Sequence, residues 1–234
     1  MAETEIPWTD DKNVRSYAQM REYAAIADRI AADFPSGQVL DWGCAFGQMS
    51  HLLDSRGVEV TAFDYDPDGE GLRPLPYYPH IKAHYSAEPV ALPFADGQFD
   101  AVLSSGVLEH VQEPEKSLVE LGRVLKPGGT LYVYKLPNET SYLEWLAKRL
   151  GMYYHGKYEH DRLYTVPKAR ALLSDNGFRV LEIRLANMLP LSLFTGRIGE
   201  VLASTVWALN RALAQIPILN RLATNVELVA VKRA

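Results

Sequence analysis

The 234 residues contain one cysteine, Cys44. A lone thiol cannot form an internal disulfide, so packing must hold the fold, and the composition fits a reducing, cytoplasmic compartment. Positive charge is also short. Lys and Arg number 24 against 29 Asp and Glu, a net charge of −5, with no basic arm or run. That balance argues against nucleic acid as a partner. Long apolar runs are missing too, since nothing approaches the roughly 18 consecutive apolar residues that span a bilayer. The richest stretch, 187–222, is broken by Arg197, Glu200, Asn210, Arg211 and Pro217. It could lie on a membrane but not cross one. The first eleven residues are polar and acidic, with no apolar core of the kind a secretory leader needs.

What is present is an alternation of two periods. Apolar residues recur at helical spacing from Asp11 to Phe34, and Pro35-Ser36-Gly37 ends that pattern. Short apolar runs then alternate with amphipathic stretches. Strands are expected at Val39-Leu40, 58–63, 81–84, 99–104 and 131–134, with helices at 51–55 and 115–125. A helix opening at Pro167 and closed by Gly177, a strand over 178–184 and a last strand over 226–231 complete the series. This rhythm predicts one α/β domain with a doubly wound, mostly parallel sheet. Its parts would be a core over 37–135, a lid insertion over 138–166 and one or two helices within 187–222. That apolar stretch would cover the core, form a homodimer contact or rest on a lipid surface.

The most informative segment is Val39-Leu40-Asp41-Trp42-Gly43-Cys44-Ala45-Phe46-Gly47, a strand running into a turn of small residues and then a helix. Small residues let a ligand approach the backbone closely. The next strand ends at Asp64, twenty-three residues after Asp41, where a carboxylate can accept both hydroxyls of a ribose. Three further motifs follow: Leu92-Pro93-Phe94-Ala95-Asp96-Gly97-Gln98-Phe99-Asp100, then Leu108-Glu109-His110-Val111, then Val124-Leu125-Lys126-Pro127-Gly128-Gly129.

In that order and spacing these four motifs resemble the class I S-adenosylmethionine-dependent methyltransferases of the quinone-biosynthesis-like group. The resemblance covers about 39–129, and weaker similarity continues through Phe178. It implies a Rossmann-like seven-stranded sheet and S-adenosylmethionine as methyl donor. It also implies donor-site roles for Asp41, Gly43, Cys44, Ala45, Gly47, Asp64 and Tyr65, with Ser105 where the fourth strand of the expected series ends. Ala45 stands where the family usually has a glycine. The contact to the adenine falls on Ser86 or Glu88, with Ala87 between them.

Methyl transfer to a hydroxyl requires positioning of the acceptor and removal of its proton, a task suited to histidine. Of six histidines, His110 follows the fourth strand of the expected series, where the family's active site opens, although it could equally cap the following turn. His155 and His160 fall in an insertion rich in tyrosine (Tyr153, Tyr154, Tyr158, Tyr164) that would either lid the acceptor or form a local aromatic core. The stretch 138–167 also resembles quinone O-methyltransferases, through Ser141-Tyr142-Leu143-Glu144-Trp145-Leu146 and through His160-Asp161. Some of those enzymes add an acidic residue three positions before the Glu-His pair and bind a divalent metal. Here that position is Gly106, so Mg²⁺ would have only Glu109, His110 and water as ligands. The expected activity is O-methylation of a small molecule. The polar lid and an overall likeness to bacterial sugar O-methyltransferases favour a saccharide or glycan precursor. The alternatives are a lipidic or phenolic acceptor such as a prenylquinone precursor, and a non-catalytic scaffold that keeps the donor fold.

Overall fold

A computed structural model describes residues 16–151, 161–191 and 196–233. The helix α1 (Tyr17–Asp33) starts at Ser16, whose Oγ accepts from the Gln19 N–H at 3.1 Å and donates to the Leu191 carbonyl. Such a cap satisfies one of the N–H groups left open at a helix start. Then follow β1 (Gln38–Trp42), α2 (Gln48–Asp54), β2 (Glu59–Tyr65), β3 (Gly71–Pro74), β4 (Lys82–Ser86) and β5 (Phe99–Ser105). The second half holds α3 (Pro114–Val124), β6 (Leu125–Pro137), α4 (Tyr142–Arg149), α5 (Val166–Asp175), β7 (Phe178–Ala186), α6 (Gly196–Ala214) and β8 (Asn225–Lys232). Pro114 and Pro167 sit in the first turns of α3 and α5, where a missing N–H costs nothing.

The strands form one sheet in the order β3-β4-β2-β1-β5-β6-β8-β7. Neighbours from β4 to β6 are parallel, while β8 runs antiparallel between β6 and β7. The expectation of seven strands is corrected to eight. The extra one, β3, pairs antiparallel with β4 at the sheet edge, and all four of its residues are exposed. An exposed edge strand has no apolar alternation, so its sequence carries no periodic signal.

Each face of the sheet has its own core. Ile26, Ile30, Leu53, Tyr132 and Tyr134 pack under α1 and α2, whereas Leu118, Leu121, Leu173 and Phe178 pack under α3 and α5. The chain goes from β1 to one side and returns through β5 on the other. The crevice at the ends of β1 and β5 is therefore the topological switch point, the usual ligand position in such sheets.

Two of the recurring motifs turn out to be framework. The Arg123 guanidinium donates to the carbonyls of Leu92 and Phe94 and to the carboxylates of Asp96 and Glu120, and Glu120 also accepts the Leu92 N–H. Asp100 takes the Gln38 N–H at 2.9 Å and Lys126 Nζ at 2.7 Å. These contacts fix the loop before β5 and hence the strand that opens into the crevice.

Buried Asn138 does the same for the far side of β6. Its Nδ2 donates to the Arg221 and Ala223 carbonyls, and its Oδ1 accepts from Thr140, joining the start of α4 to the entry of β8. Asn138→Ala takes the donor from the Ala223 carbonyl and one of two from the Arg221 carbonyl, which keeps Thr140 Oγ1, and we expect a loss of about 2 kcal/mol. In a chain of this size that is a fall of roughly 4–8 °C in Tm. Calorimetry showing an unchanged Tm would mean that the carbonyls find other partners.

Candidate active site

At the end of β1 the backbone turns twice through left-handed conformations, Gly43 at φ 78° and Gly47 at φ 90°. Space is as restrictive as φ. A Cβ on Gly43 would lie 2.4 Å from Val107 Cγ2, and one on Gly47 would lie 2.3 Å from Leu75 Cδ1. Ala45, in the position where a glycine was expected, adopts φ 48°, a conformation that costs a non-glycine residue energy. Its side chain is exposed, so its methyl group meets open space instead of packed neighbours.

The turn is tied to β2 from both sides. Gly43 and Cys44 donate their N–H groups to the Phe63 carbonyl at 2.9 Å each. Asp64 answers with its carboxylate, accepting Ala45 N–H on Oδ2 and Tyr65 N–H on Oδ1, both at 2.8 Å. Each carboxylate oxygen keeps a lone pair for a ligand hydroxyl. Burial holds the Asp64 carboxyl above its ordinary range, and the two N–H groups act against that. Beneath the turn, buried Asp41 accepts Ser50 Oγ at 2.6 Å, and burial pushes its carboxyl up to about 6. The Cys44 thiol is buried and raised well above its usual value, which makes it a packing group and not a nucleophile.

Tyr65 is exposed and pairs in register with Ser86, the last residue of β4. Ser86 is buried and its Oγ accepts the Glu88 N–H, whereas Glu88 is exposed and Ala87 half-buried. Ser105 Oγ, at the end of β5, is buried without a hydrogen-bond partner. A close-approach turn, a carboxylate with spare lone pairs and an orphan hydroxyl fit the methyl donor that the motifs imply. Asp64 and Tyr65 would hold its nucleoside end, and Gly43 would lie against its amino-acid end.

On the acceptor side the chain leaves β5 through Gly106 to Leu108, Glu109 and His110. His110 Nδ1 lies 2.9 Å from Asp161 Oδ1; the His110 side chain is 47% exposed and that of Asp161 only 4%. His110 Nε2 is 3.7 Å from Glu109 Oε1, and Glu109 is itself buried. The neighbouring Arg162 fastens the loop: its N–H donates to the Glu109 carbonyl, and its guanidinium to the carbonyls of Val111 and Gln112. Sequence reasoning noted Asp161 only as part of the resembling His160-Asp161 pair, with no role in the site, and missed Arg162. The only available signal was an acidic residue beside a histidine in the insertion, and it gave no hint of a partner fifty-one positions away.

Of the expected lid, His155, His160, Tyr153, Tyr154 and Tyr158 lie outside the described residues. Tyr164 is a correction: it is buried in the core with Leu136 and Leu108, because its backbone is tied to Pro137 and Glu139. Among the described residues no three ligand-bearing side chains converge on a metal position. His51 stacks on Tyr78 at 4.3 Å, and His84 packs edge-on against Phe94. A further feature missed from sequence is a cavity of about 180 Å³ lined by Glu22, Arg184, Asn187, Asn210 and Arg211. Arg184 there pairs with Glu227, whose carboxyl burial raises to about 7.

Comparison with known proteins bears on this geometry. Residues 40–133 match a family model described as a methyltransferase domain. The chain is 34% identical over 146 residues to a demethylmenaquinone methyltransferase of Renibacterium salmoninarum, covering 59% of this chain and 60% of that one. It is 34% identical over 114 residues to a ubiquinone biosynthesis O-methyltransferase of Xanthomonas campestris, 47% of each. The chain thus spans about half to three-fifths of the length of these curated relatives. Among solved structures it is similar to a methyltransferase of Archaeoglobus fulgidus, with TM-score 0.55, 16% identity and coverage of 90% and 94%. It is also similar to the 1,6-didemethyltoxoflavin-N1-methyltransferase of Burkholderia thailandensis, with TM-score 0.53, 18% identity and coverage of 92% and 78%. At such identities these two matches speak for the fold alone.

Asp41 gives the site a pH signature. Its folded pKa of about 6 lies above the ordinary carboxylate value, so the folded state holds the proton more tightly than the unfolded chain. Stability from this residue is therefore fullest at low pH and is lost as pH rises from about 4 through about 6. Asp41→Asn removes that titration. Its stability relative to wild type should climb over this window by up to about 3 kcal/mol and then level off. Denaturant curves at several pH values that keep a constant difference would show that Asp41 does not titrate there.

Proposed function

The chain carries a class I S-adenosylmethionine-dependent methyltransferase domain, and on that premise we propose that it methylates a hydroxyl whose proton passes to His110 Nε2. The observation that carries this reading is the contact of His110 Nδ1 with the buried Asp161 carboxylate. A carboxylate on Nδ1 favours the tautomer with the proton on that nitrogen, which leaves the Nε2 lone pair free to accept one.

When bound, the donor supplies an electrophilic methyl group and, in the same molecule, a neutral thioether as leaving group. The residues described here supply position and proton transfer. With the donor held there, the acceptor oxygen would take the methyl group while the carbon–sulfur electron pair left with the thioether. The acceptor proton goes to Nε2, and the resulting imidazolium is stabilised by Asp161 on one nitrogen and Glu109 near the other.

For the acceptor we favour a phenolic, lipidic molecule of the quinone-precursor type over a saccharide. The names of two relatives point to menaquinone and ubiquinone biosynthesis. Of the tyrosines that favoured a saccharide, Tyr164 is buried in the core.

His110→Ala should lower kcat by about 10²–10⁴-fold, the usual contribution of a positioned base, while donor affinity stays within about threefold of wild type. Asp161→Asn should give a smaller loss of kcat. Assays of donor consumption with catechols set against saccharides would check both arms. Wild-type turnover in His110→Ala removes the base, and saccharide methylation without phenol methylation reverses the acceptor class.

A further inference from the structure

Exposed large apolar side chains are not spread evenly over this molecule. They gather in three segments after β6: Trp145, Leu146 and Leu150 in and just beyond α4; Ile198, Val201, Leu202 and Leu209 on α6; and Ile216, Ile218 and Leu222 before β8. On α6 the exposed residues share one helical face at spacings of three, four and seven, while Ala203, Val206 and Asn210 face inward against α1 and residues 189–191. A helix covered on one side only would ordinarily present polar residues on the other. Here Val201 is 79% exposed, and Ile218, in the turn after α6, is 77% exposed.

The three segments belong to one end of the fold. Asn138 and Thr140, just before α4, bond the Arg221 carbonyl in the 3-10 turn Leu219–Leu222 that follows α6. That turn leads into β8, whose first residue pairs with Pro137 at the end of β6. This is the end of the sheet where β1 and β5 open into the candidate active site.

Charge indicates what this surface meets. The chain is net negative, yet the exposed charges described on these segments are Lys148, Arg149, Arg211 and Arg221 against Glu200. Glu144 is buried. Arg149 and Arg211 lie over the rings of Trp145 and Trp207, at 5.0 and 4.9 Å. Cations interleaved with apolar side chains and an exposed tryptophan suit the headgroup region of an anionic bilayer. A symmetric dimer through the same face would bring like charges together.

We infer that α4, α6 and the 216–222 turn form a surface that docks on an anionic lipid bilayer and sets the active-site crevice at the membrane, where a lipidic acceptor would be reached. The second clause rests on the acceptor reading above, whereas docking stands on the surface alone. Among the described residues no helix is long and apolar enough to cross a membrane, so the association is peripheral.

Flotation of the full chain with vesicles tests this, using phosphatidylcholine alone and phosphatidylcholine with phosphatidylglycerol. We expect binding to the anionic vesicles only, released by high salt. Each cation near such a surface contributes about fivefold in partitioning, so Arg149→Ala with Arg221→Ala should weaken binding by roughly 20-fold. Val201→Ser with Leu209→Ser should abolish it, with circular dichroism and methyl-donor affinity unchanged. Wild-type protein that binds donor but floats with neither vesicle overturns the inference, as does equal binding to both. Light scattering that shows a dimer dissolved by Val201→Ser would also overturn it, assigning the face to a second copy. Vesicle docking without phenol methylation leaves the surface standing and removes the acceptor class. Phenol methylation by a protein that never docks removes the surface alone.

Discussion

The Phe63 carbonyl accepts two N–H groups from the turn after β1, and the next residue, Asp64, returns its carboxylate to Ala45 in the same turn. This exchange between the ends of β1 and β2 determines where a ligand can sit. It holds Gly43 and Gly47 in left-handed conformations, with Val107 and Leu75 close against them. It also leaves each Asp64 carboxylate oxygen, already bonded to one backbone N–H, a lone pair to spare. Val107 comes from the loop after β5, so the turn after β1 and the loop after β5 are packed against each other. A shift in one must move the other.

The acceptor loop has its own fastening, supplied from far along the chain. Arg162 holds the carbonyls of Glu109, Val111 and Gln112, and Asp161 meets His110. Two adjacent residues thus do separate jobs: one fixes the loop backbone, the other orients the imidazole. Tyr164, three residues past Asp161, closes the arrangement by sinking into the core beside Leu136. The site is accordingly built on the sheet end and not on a free loop, which suits a reaction that depends on alignment of acceptor, methyl group and base.

Much of the donor side was legible because its chemistry is local. The run from Asp41 to Gly47 and the strand ending at Asp64 read correctly as turn and strand end. The order of helices and strands followed from periodicity. The acceptor side was less legible for a physical reason. The partner of His110 is fixed by tertiary packing over fifty-one residues, and no spacing rule reaches that far. Composition alone leaves Tyr164 open between a lid and a packed aromatic core, and its backbone bonds to Pro137 and Glu139 turn it inward. Arg123 illustrates the converse case. Its motif was read as a family signature, and the structure shows it as the residue that ties the loop before β5 to α3. The edge strand β3 was missed because an exposed strand has no burial pattern to imprint on its sequence.

The central claim is that His110 presents an unprotonated Nε2 to the acceptor because Asp161 holds the proton on Nδ1. Nitrogen-15 NMR of histidine-labelled protein, at a pH where the ring is neutral, reads the tautomer directly. The account predicts an Nδ1–H tautomer for His110 that reverts toward the ordinary mixture in Asp161→Asn. A dominant Nε2–H tautomer in the wild type would contradict it, since that nitrogen would then have no lone pair to take the proton.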